Sequence, residues 1–332
     1  MFWFFVMGCV EQEQNSSVQH SEDAQAVIPS AVPQDSEGVP IRIGWQVTWA
    51  TQGQLAVILK NSEILSDLGF VPEFVGFEYG GPLNEGALSG AVDVLFTADQ
   101  PAIALCNRDK SWGIIGRLMY NRVGTFVPQS SSVTDLSELK GKSVAIPFGA
   151  AAHRETLDAI REAGLDPVRD IVSINMGVKE ISAMATAGRW DSIHAASAWD
   201  PVFADLESSK LVRTIAQGKV TSVVVMDDDF VHKYPGSDQK FMDGLSLAYQ
   251  QYKADPKKAN EAFKQESKLG FSLEALDLAA SVEPNLKKEE QISVKLSALD
   301  LDNIQKAADF MYEVKILKEK ASTDAMIRKS AQ

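Results

Sequence analysis

The sequence predicts an α/β fold arranged as two lobes, and three observations carry that expectation. Strand-like and helix-like segments alternate along the chain, which is the pattern of parallel α/β sheets. The alternation occurs in two separate series, one lobe for each. The chain from about Ser237 onward is helical by pattern, without a strand of its own, and needs one of those sheets to pack on. A length of 332 residues leaves room for two hydrophobic cores.

The first series opens where Ile41, Ile43 and Trp45 alternate with Arg42 and Gly44, as in a strand. The loop Gln46-Val47-Thr48-Trp49 leads into QLAVILKNSEIL, read as one helix. FVPEFVGFEY is strand-like, Gly80-Gly81 turns the chain, Pro82 suits a first helical turn and Gly90 stops that helix. VDVLFTADQPAIAL reads as strand, loop, helix. WGIIGRLMYNRVGTFVP supplies another extended segment.

The second series starts near Leu136. GKSVAIPF is a strand, HRETLDAIREAG a helix ended by Gly164, DIVSINM a strand, VKEISAMATAG a helix ended by Gly188, and SIHAASAW a strand. VTSVVVMDDDFVHKYP returns as a strand before the helical remainder. If that remainder packs on the first lobe, the lobe is discontinuous. The expected division is 40–126 with 224–332 for lobe 1 and 127–223 for lobe 2, with crossings near Gly124 to Gln129 and Gly218 to Val225.

Ahead of this ordered chain lie two segments of different character. MFWFFVMGC is an apolar opening that ends in Gly8-Cys9 and resembles the lipobox of bacterial lipoprotein signal peptides, in which the cysteine is lipidated. Met7 departs from that pattern, and no Lys or Arg precedes the run. Residues 10–39 are rich in Gln, Glu, Asp and Ser with little periodic apolar content, as expected of a flexible tether. No later stretch is long and apolar enough to span a bilayer, so membrane attachment would rest on the lipid at Cys9. Cys106, in a helix-like run, reads as a buried free thiol.

The net charge of −13 gives no general attraction for phosphate backbones or anionic membranes, which argues against nucleic-acid binding. The four histidines are His20, His153, His194 and His232; none forms a pair at ligand spacing and there is no C-x-x-C, so no metal is expected. The acidic run Asp227 to Asp229 and the mixed run Lys287 to Glu290 read as solvated surface.

In open α/β sheets, ligands bind beyond the carboxyl ends of strands, beside helix N-termini. Five loops hold that position: Gln46-Val47-Thr48-Trp49, Tyr79-Gly80-Gly81, Thr97-Ala98-Asp99-Gln100, Phe148-Gly149-Ala150-Ala151-Ala152-His153 and Ala198-Trp199-Asp200-Pro201. The ordered set IRIGWQ, GGPLNEGALSGAVDVLFT, LKGKSVAIPFGAAAHRETL, AMATAGRWDSIHA and AWDPVFADL resembles the periplasmic binding proteins of the nitrate, sulfonate, taurine and thiamine-precursor ABC importers. The likeness runs from Ile41 to Phe271. It implies a hinged periplasmic-binding-protein fold of type II with a ligand cleft between lobes, a monomer without cofactor or turnover, and delivery of a small solute to a permease and its ATPase.

Within that frame the expected ligand-binding residues are Gln46, Thr48, Trp49, Gly80, Gly81, Thr97, Asp99, Phe148, Gly149, Ala150, Ala151, His153, Trp199 and Asp200. Gly149 and the alanines let the backbone approach a ligand, and the free N–H groups of the next helix favour negative charge. The family's sulfonate binders often carry hydroxyls where Ala150, Ala151 and Ala152 stand, so a common sulfonate fits less well. His153 reads as the anchor of the helix start rather than a base, since no nucleophile signature accompanies it. Trp199 and Trp49 would face each other as an aromatic clamp, suited to a flat heterocycle or an amine. Asp99 and Asp200 are helix caps first and ligand groups second. The competing expectation is an enzyme on the same fold, since relatives include proteins that build the thiamine pyrimidine. These loops contain no lysine to carry a pyridoxal-type cofactor.

Overall fold

The computed structural model describes residues 38–331; the expected lipidation site at Cys9 and the tether lie outside them. Strand β1 (Val39–Gln46) is followed by helix α1 (Gln52–Lys60) and the short α2 (Ile64–Asp67). The single helix expected over this stretch is thus two, because Asn61 and Ser62 favour local turns over helix continuation. Next come β2 (Phe70–Phe77), α3 (Gly80–Leu88), β3 (Val94–Ala98), α4 (Asp99–Arg108) and the long strand β4 (Trp112–Pro128). The loop expected between β3 and α4 does not exist: the helix begins directly after Ala98, where the Asp99 carboxylate accepts the Gln100 N–H at 2.7 Å.

The second series is β5 (Ser143–Ile146), α5 (Ala151–Glu162), β6 (Val172–Asn175), α6 (Val178–Thr186), β7 (Ala195–Trp199) and α7 (Val202–Ser208). Gly164 and Gly188 end α5 and α6 with φ of 82° and 65°, the left-handed geometry that glycine adopts without cost. A second long strand, β8 (Val212–Asp227), leads to α8 (Asp228–Lys233), α9 (Ser237–Ala254), α10 (Pro256–Ser267), α11 (Leu273–Ala280) and α12 (Ala298–Glu313). Asp255 caps α10 ahead of Pro256, and Ser297 with Asp300 caps α12.

The strands form one eight-stranded sheet in the order β2-β1-β3-β8-β4-β7-β5-β6. It is mixed rather than wholly parallel. The β1–β2, β1–β3, β5–β6 and β5–β7 pairs are parallel, while β3–β8, β4–β8 and β4–β7 are antiparallel. The two α/β series are therefore joined through the long antiparallel pair β4–β8. Near Val123, which lies opposite Gly218, β4 gains β7 as its second neighbour, while β8 pairs with β3 from Ser222 onward.

The core follows the same division. Over β1 to β3, one face packs against α1, α9, α10 and α11 through Leu55, Leu59, Phe241, Tyr249 and Phe263, and the other against α3, α4 and α12. Over β5 to β7, Ile146, Leu157 and Ile160 fill one side and Ile181, Phe203 and Leu206 the other. The C-terminal helices are tied to β4 by the buried Arg117–Glu283 pair at 2.8 Å; Glu283 also accepts the Tyr120 N–H at 2.8 Å. Cys106 is buried against α12, and burial pushes its thiol up to about 12.

Gly124 marks how tightly the strand crossing is packed. A Cβ there would come within 2.2 Å of the Phe203 ring, which itself stacks on Phe126 at 5.8 Å. Overpacking of this kind costs about 1–3 kcal/mol. Gly124→Ala is expected to lower the urea midpoint by that equivalent at unchanged slope; an unaltered midpoint would show that Phe203 moves aside freely.

Candidate ligand-binding site

All five loops lie at the carboxyl ends of their strands, three from the first half of the sheet and two from the second. In the first half, Gln46 is buried and donates through Nε2 to Phe96 O at 3.3 Å. Gln52 reaches back to Gln46 O and, at 2.7 Å, to Trp49 O, so the Gln46–Trp49 turn is closed from below by a buried amide. Thr48 donates to Glu78 O at 2.8 Å. Trp49 packs in the core of the first half. The Asn121 amide, oriented so that its nitrogen donates to Arg122 O at 3.1 Å, accepts Trp49 Nε1 at 2.9 Å. Gly80 is buried because Pro101 leaves no room for a side chain, and a Cβ there would lie 3.7 Å from Thr97 Oγ1; Gly81 is exposed under Tyr79.

In the second half, Gly149 takes φ of 79°, which turns the chain after β5 and lets its N–H approach His153 Nδ1 at 3.4 Å. The His153 ring is sandwiched between Phe148, stacked at 4.5 Å, and Phe310 from α12, edge-on at 5.4 Å. Burial lowers its pKa, so the imidazole is neutral and serves as a spacer between rings. Phe148 itself is 45% exposed. Ala150 is the N-cap of α5 and offers no side-chain cap to the helix. Ala152 is fully buried against Val123 and Val220 at the strand crossing, with Ala98, Ala151 and Trp199 packed around them. The small side chains therefore let the start of α5 sit directly on the β4–β8 pair.

The Asp200 carboxylate is buried and already engaged. Arg122 Nε donates to it at 2.7 Å, and the Ala204 N–H of α7 at 2.9 Å. Burial raises its pKa to about 6, with Arg122 pulling it back down. It fixes the turn that carries Trp199, which is half-buried at the strand crossing.

Besides the His153–Phe310 ring contact and the packing at the strand crossing, three polar contacts join the halves at or beside these loops among the described residues. Asp99 accepts from Arg154 Nη2 at 2.9 Å, Gln100 Nε2 donates to Ala150 O at 3.2 Å, and Lys179 pairs with Glu78. The first turns of α4 and α5 thus meet face to face. Both are helix N-termini without side-chain caps from their N-cap residues, a setting that favours negative charge. Among the described residues no group of side chains is arranged to hold a metal ion.

Comparison with known proteins decides the relationship. The family model described as NMT1/THI5 like matches residues 87–259, which includes β3, both long strands and the whole second half. The chain belongs to the NMT1/THI5-like family.

Relatives and solved structures are similar to this NMT1/THI5-like chain over 57% to 88% of its length. A Brachyspira hyodysenteriae protein named as an ABC transporter periplasmic binding protein is 24% identical over 283 residues, 78% of this chain and 79% of that protein. An Escherichia coli protein named as an aliphatic sulfonates-binding protein is 26% identical over 194 residues, 57% of this chain and 58% of its own. The alkanesulfonate-binding protein SsuA of Xanthomonas axonopodis pv. citri, bound to MOPS, superposes with a TM-score of 0.70 at 21% identity, covering 88% of this chain and 99% of that one. The fold is that of the periplasmic binding proteins. The same fold occurs in an enzyme, since the desulfurization enzyme DszB aligns with a TM-score of 0.62 at 13% identity, covering 87% of this chain and 96% of that enzyme.

Several residues at this junction are absent from the expected ligand-binding residues, although Gln100 lies in one of the five expected loops. Gln100 and Arg154 each adjoin an expected residue, and both are buried. Gln52, Asn121 and Arg122 act from inside a helix or strand, where no loop signal marks them. An arginine in the first turn of an expected helix whose N-cap position carries no side-chain oxygen is the sequence signal that would have found Arg154.

Proposed function

We propose that this protein is the extracytoplasmic solute-binding component of an ABC importer. It would take a small polar organic solute between the two halves of the molecule, either sulfonate- or taurine-like or of pyrimidine or amine type, and deliver it to the permease. The observation that carries the reading is the meeting of loops from both halves at the α4 and α5 N-termini, in a family whose named relatives are binding proteins. Motion between the halves would turn on β4 and β8, the strands common to both, with 40–126 and 224–332 moving against 127–223 as lobes. The proposal includes a monomer without cofactor, held at the outer face of the cytoplasmic membrane by a lipid on Cys9. The sequence MFWFFVMGC supports that anchor, and no helix among the described residues is long and apolar enough to cross a membrane.

Trp199 gives the direct test. Half-buried beside the junction, it is expected to report binding by a change in fluorescence on titration with taurine, alkanesulfonates, aminopyrimidines and simple amines. Trp199→Ala should weaken the best ligand about 10–100-fold, as loss of an aromatic anchor does at binding hot spots. A panel in which nothing binds would sink the reading. The second reading is an enzyme on the same fold, a fold that the desulfurization enzyme shares. Recovery of the bound solute chemically unchanged after long incubation decides for binding, and a new product decides for turnover.

A further inference from the structure

The pairing of Asp99 with Arg154 has an unused side. The Arg154 side chain is 5% exposed; its Nη2 donates to Asp99 Oδ2 at 2.9 Å and forms an ion pair with Glu155 Oε1 at 2.9 Å, while its Nε is buried without a partner. A guanidinium binds an anion best through two parallel N–H groups, Nε with Nη2 being one such edge. Asp99 supplies only one oxygen to that edge, because its other oxygen accepts from its own helix at Gln100 N. Nearby, Gln100 Oε1 and Thr97 Oγ1 are likewise buried and unpartnered. Gln100 spans to Ala150 O, so its unpartnered oxygen and Arg154 Nε stand on residues of the α4–α5 contact, while Thr97 Oγ1 lies near the end of β3 on the side of Gly80. Orphaned buried polar atoms are costly, and two of these stand where the two halves meet.

We propose that Arg154 is the residue that selects an anionic head group in this site, and that Asp99 holds it in the ligand-free molecule as an internal stand-in for that anion. The proposal rests on the binding-protein reading above. A sulfonate or carboxylate arriving at the α5 N-terminus takes the two-point Nε and Nη2 edge and displaces Asp99, which keeps its bond to Gln100 N. Asp99 stays on its own helix, so the exchange adds one negative charge to the site, which the guanidinium and the two helix N-termini without side-chain caps offset. Because Asp99 and Arg154 come from opposite halves, the same pair holds the halves together until the exchange occurs. Selectivity then follows charge, and the Asp99 carboxylate sets the affinity an anion must exceed.

The experiment has two arms on the full-length protein. In the first, ethanesulfonate and its neutral analogue ethanesulfonamide are titrated by calorimetry into the parent, Asp99→Asn, Arg154→Lys and Arg154→Gln proteins. The expected result is at least fivefold tighter ethanesulfonate binding in Asp99→Asn, at least tenfold weaker binding in both Arg154 variants, and less than twofold change for the sulfonamide. Weaker sulfonate binding in Asp99→Asn overturns the proposal, as does a folded Arg154→Lys protein that binds like the parent. In the second arm, hydrogen exchange of ligand-free protein is expected to quicken at least fivefold at the amides of residues 151–156 in Asp99→Asn. Unchanged exchange overturns the stand-in role even if neither probe binds the parent, an outcome that would count separately against the binding-protein reading for sulfonates.

Discussion

Arg122→Ala is expected to lose about 3–5 kcal/mol of stability, the loss typical of removing one partner from a buried ion pair. Arg122 lies inside β4 with a side chain 4% exposed, and its guanidinium serves Asp200 through Nε at 2.7 Å and Nη2 at 3.2 Å, and Glu207 through Nη1 at 3.0 Å. It also lies over the Phe203 ring at 4.7 Å. Truncation leaves Asp200, fully buried, with the Ala204 N–H as its remaining hydrogen-bond donor, and it opens space beside Phe203. Since Asp200 N bonds Arg122 O at 3.2 Å, the pair also sets where the β7–α7 turn stands against β4, and with it Trp199. Urea unfolding measures the loss. Asp200→Asn in the Arg122→Ala background should recover part of it, because a neutral amide tolerates burial better than an unpaired carboxylate. A single-variant cost below about 1 kcal/mol would mean that the pair is solvated and that another contact positions Trp199.

How far the sequence leads here depends on what kind of interaction makes each feature. The strands β1, β3 and β5 are legible because burial on both faces, or strict alternation, leaves apolar runs. The first half of β8 is not: Arg213, Thr214, Gln217 and Lys219 make it read as loop, yet it pairs with β4 along its full length because only one of its faces needs burial. The union of two series into one sheet is equally hidden, since nothing local in β4 or β8 tells that each runs through both halves. Loop positions at strand ends follow from α/β topology and were readable; the partners of side chains in those loops were not. Asp99 shows the distinction. Its place at the start of a helix is written in TADQP, whereas its bond to Arg154 joins segments 55 residues apart and exists only through the fold. The triple alanine gains its explanation the same way. Ala152 is small because α5 begins on top of Val123 and Val220, a constraint of packing at the strand crossing.

Glu155 makes the second large expectation, and it concerns pH. Its side chain is 17% exposed, and a Cβ on Gly218 would fall 2.1 Å from its Oε2, so the carboxylate is pressed against the β8 backbone at the crossing. Burial raises its pKa from 4.5 to about 7; Arg154 opposes the rise, and Asp99, Asp158 and Glu162 add to it. At pH 8 the group is ionised in both folded and unfolded chains, and the folded state bears the cost of burying that charge. As pH falls through about 7 the folded protein takes up a proton that the unfolded chain does not bind until about 4.5, so stability rises with falling pH across that window and then levels off. At roughly 1.4 kcal/mol per tenfold change in binding, the full effect is about 2–3 kcal/mol after allowance for partial exposure. Glu155→Gln removes the charge at every pH while keeping the shape. It is expected to melt on the order of 5 °C above the parent at pH 8 and to approach the parent's melting temperature by pH 5. A variant that melts below the parent at pH 8 would show instead that the ionised Glu155 is worth more as a partner of Arg154 than its burial costs.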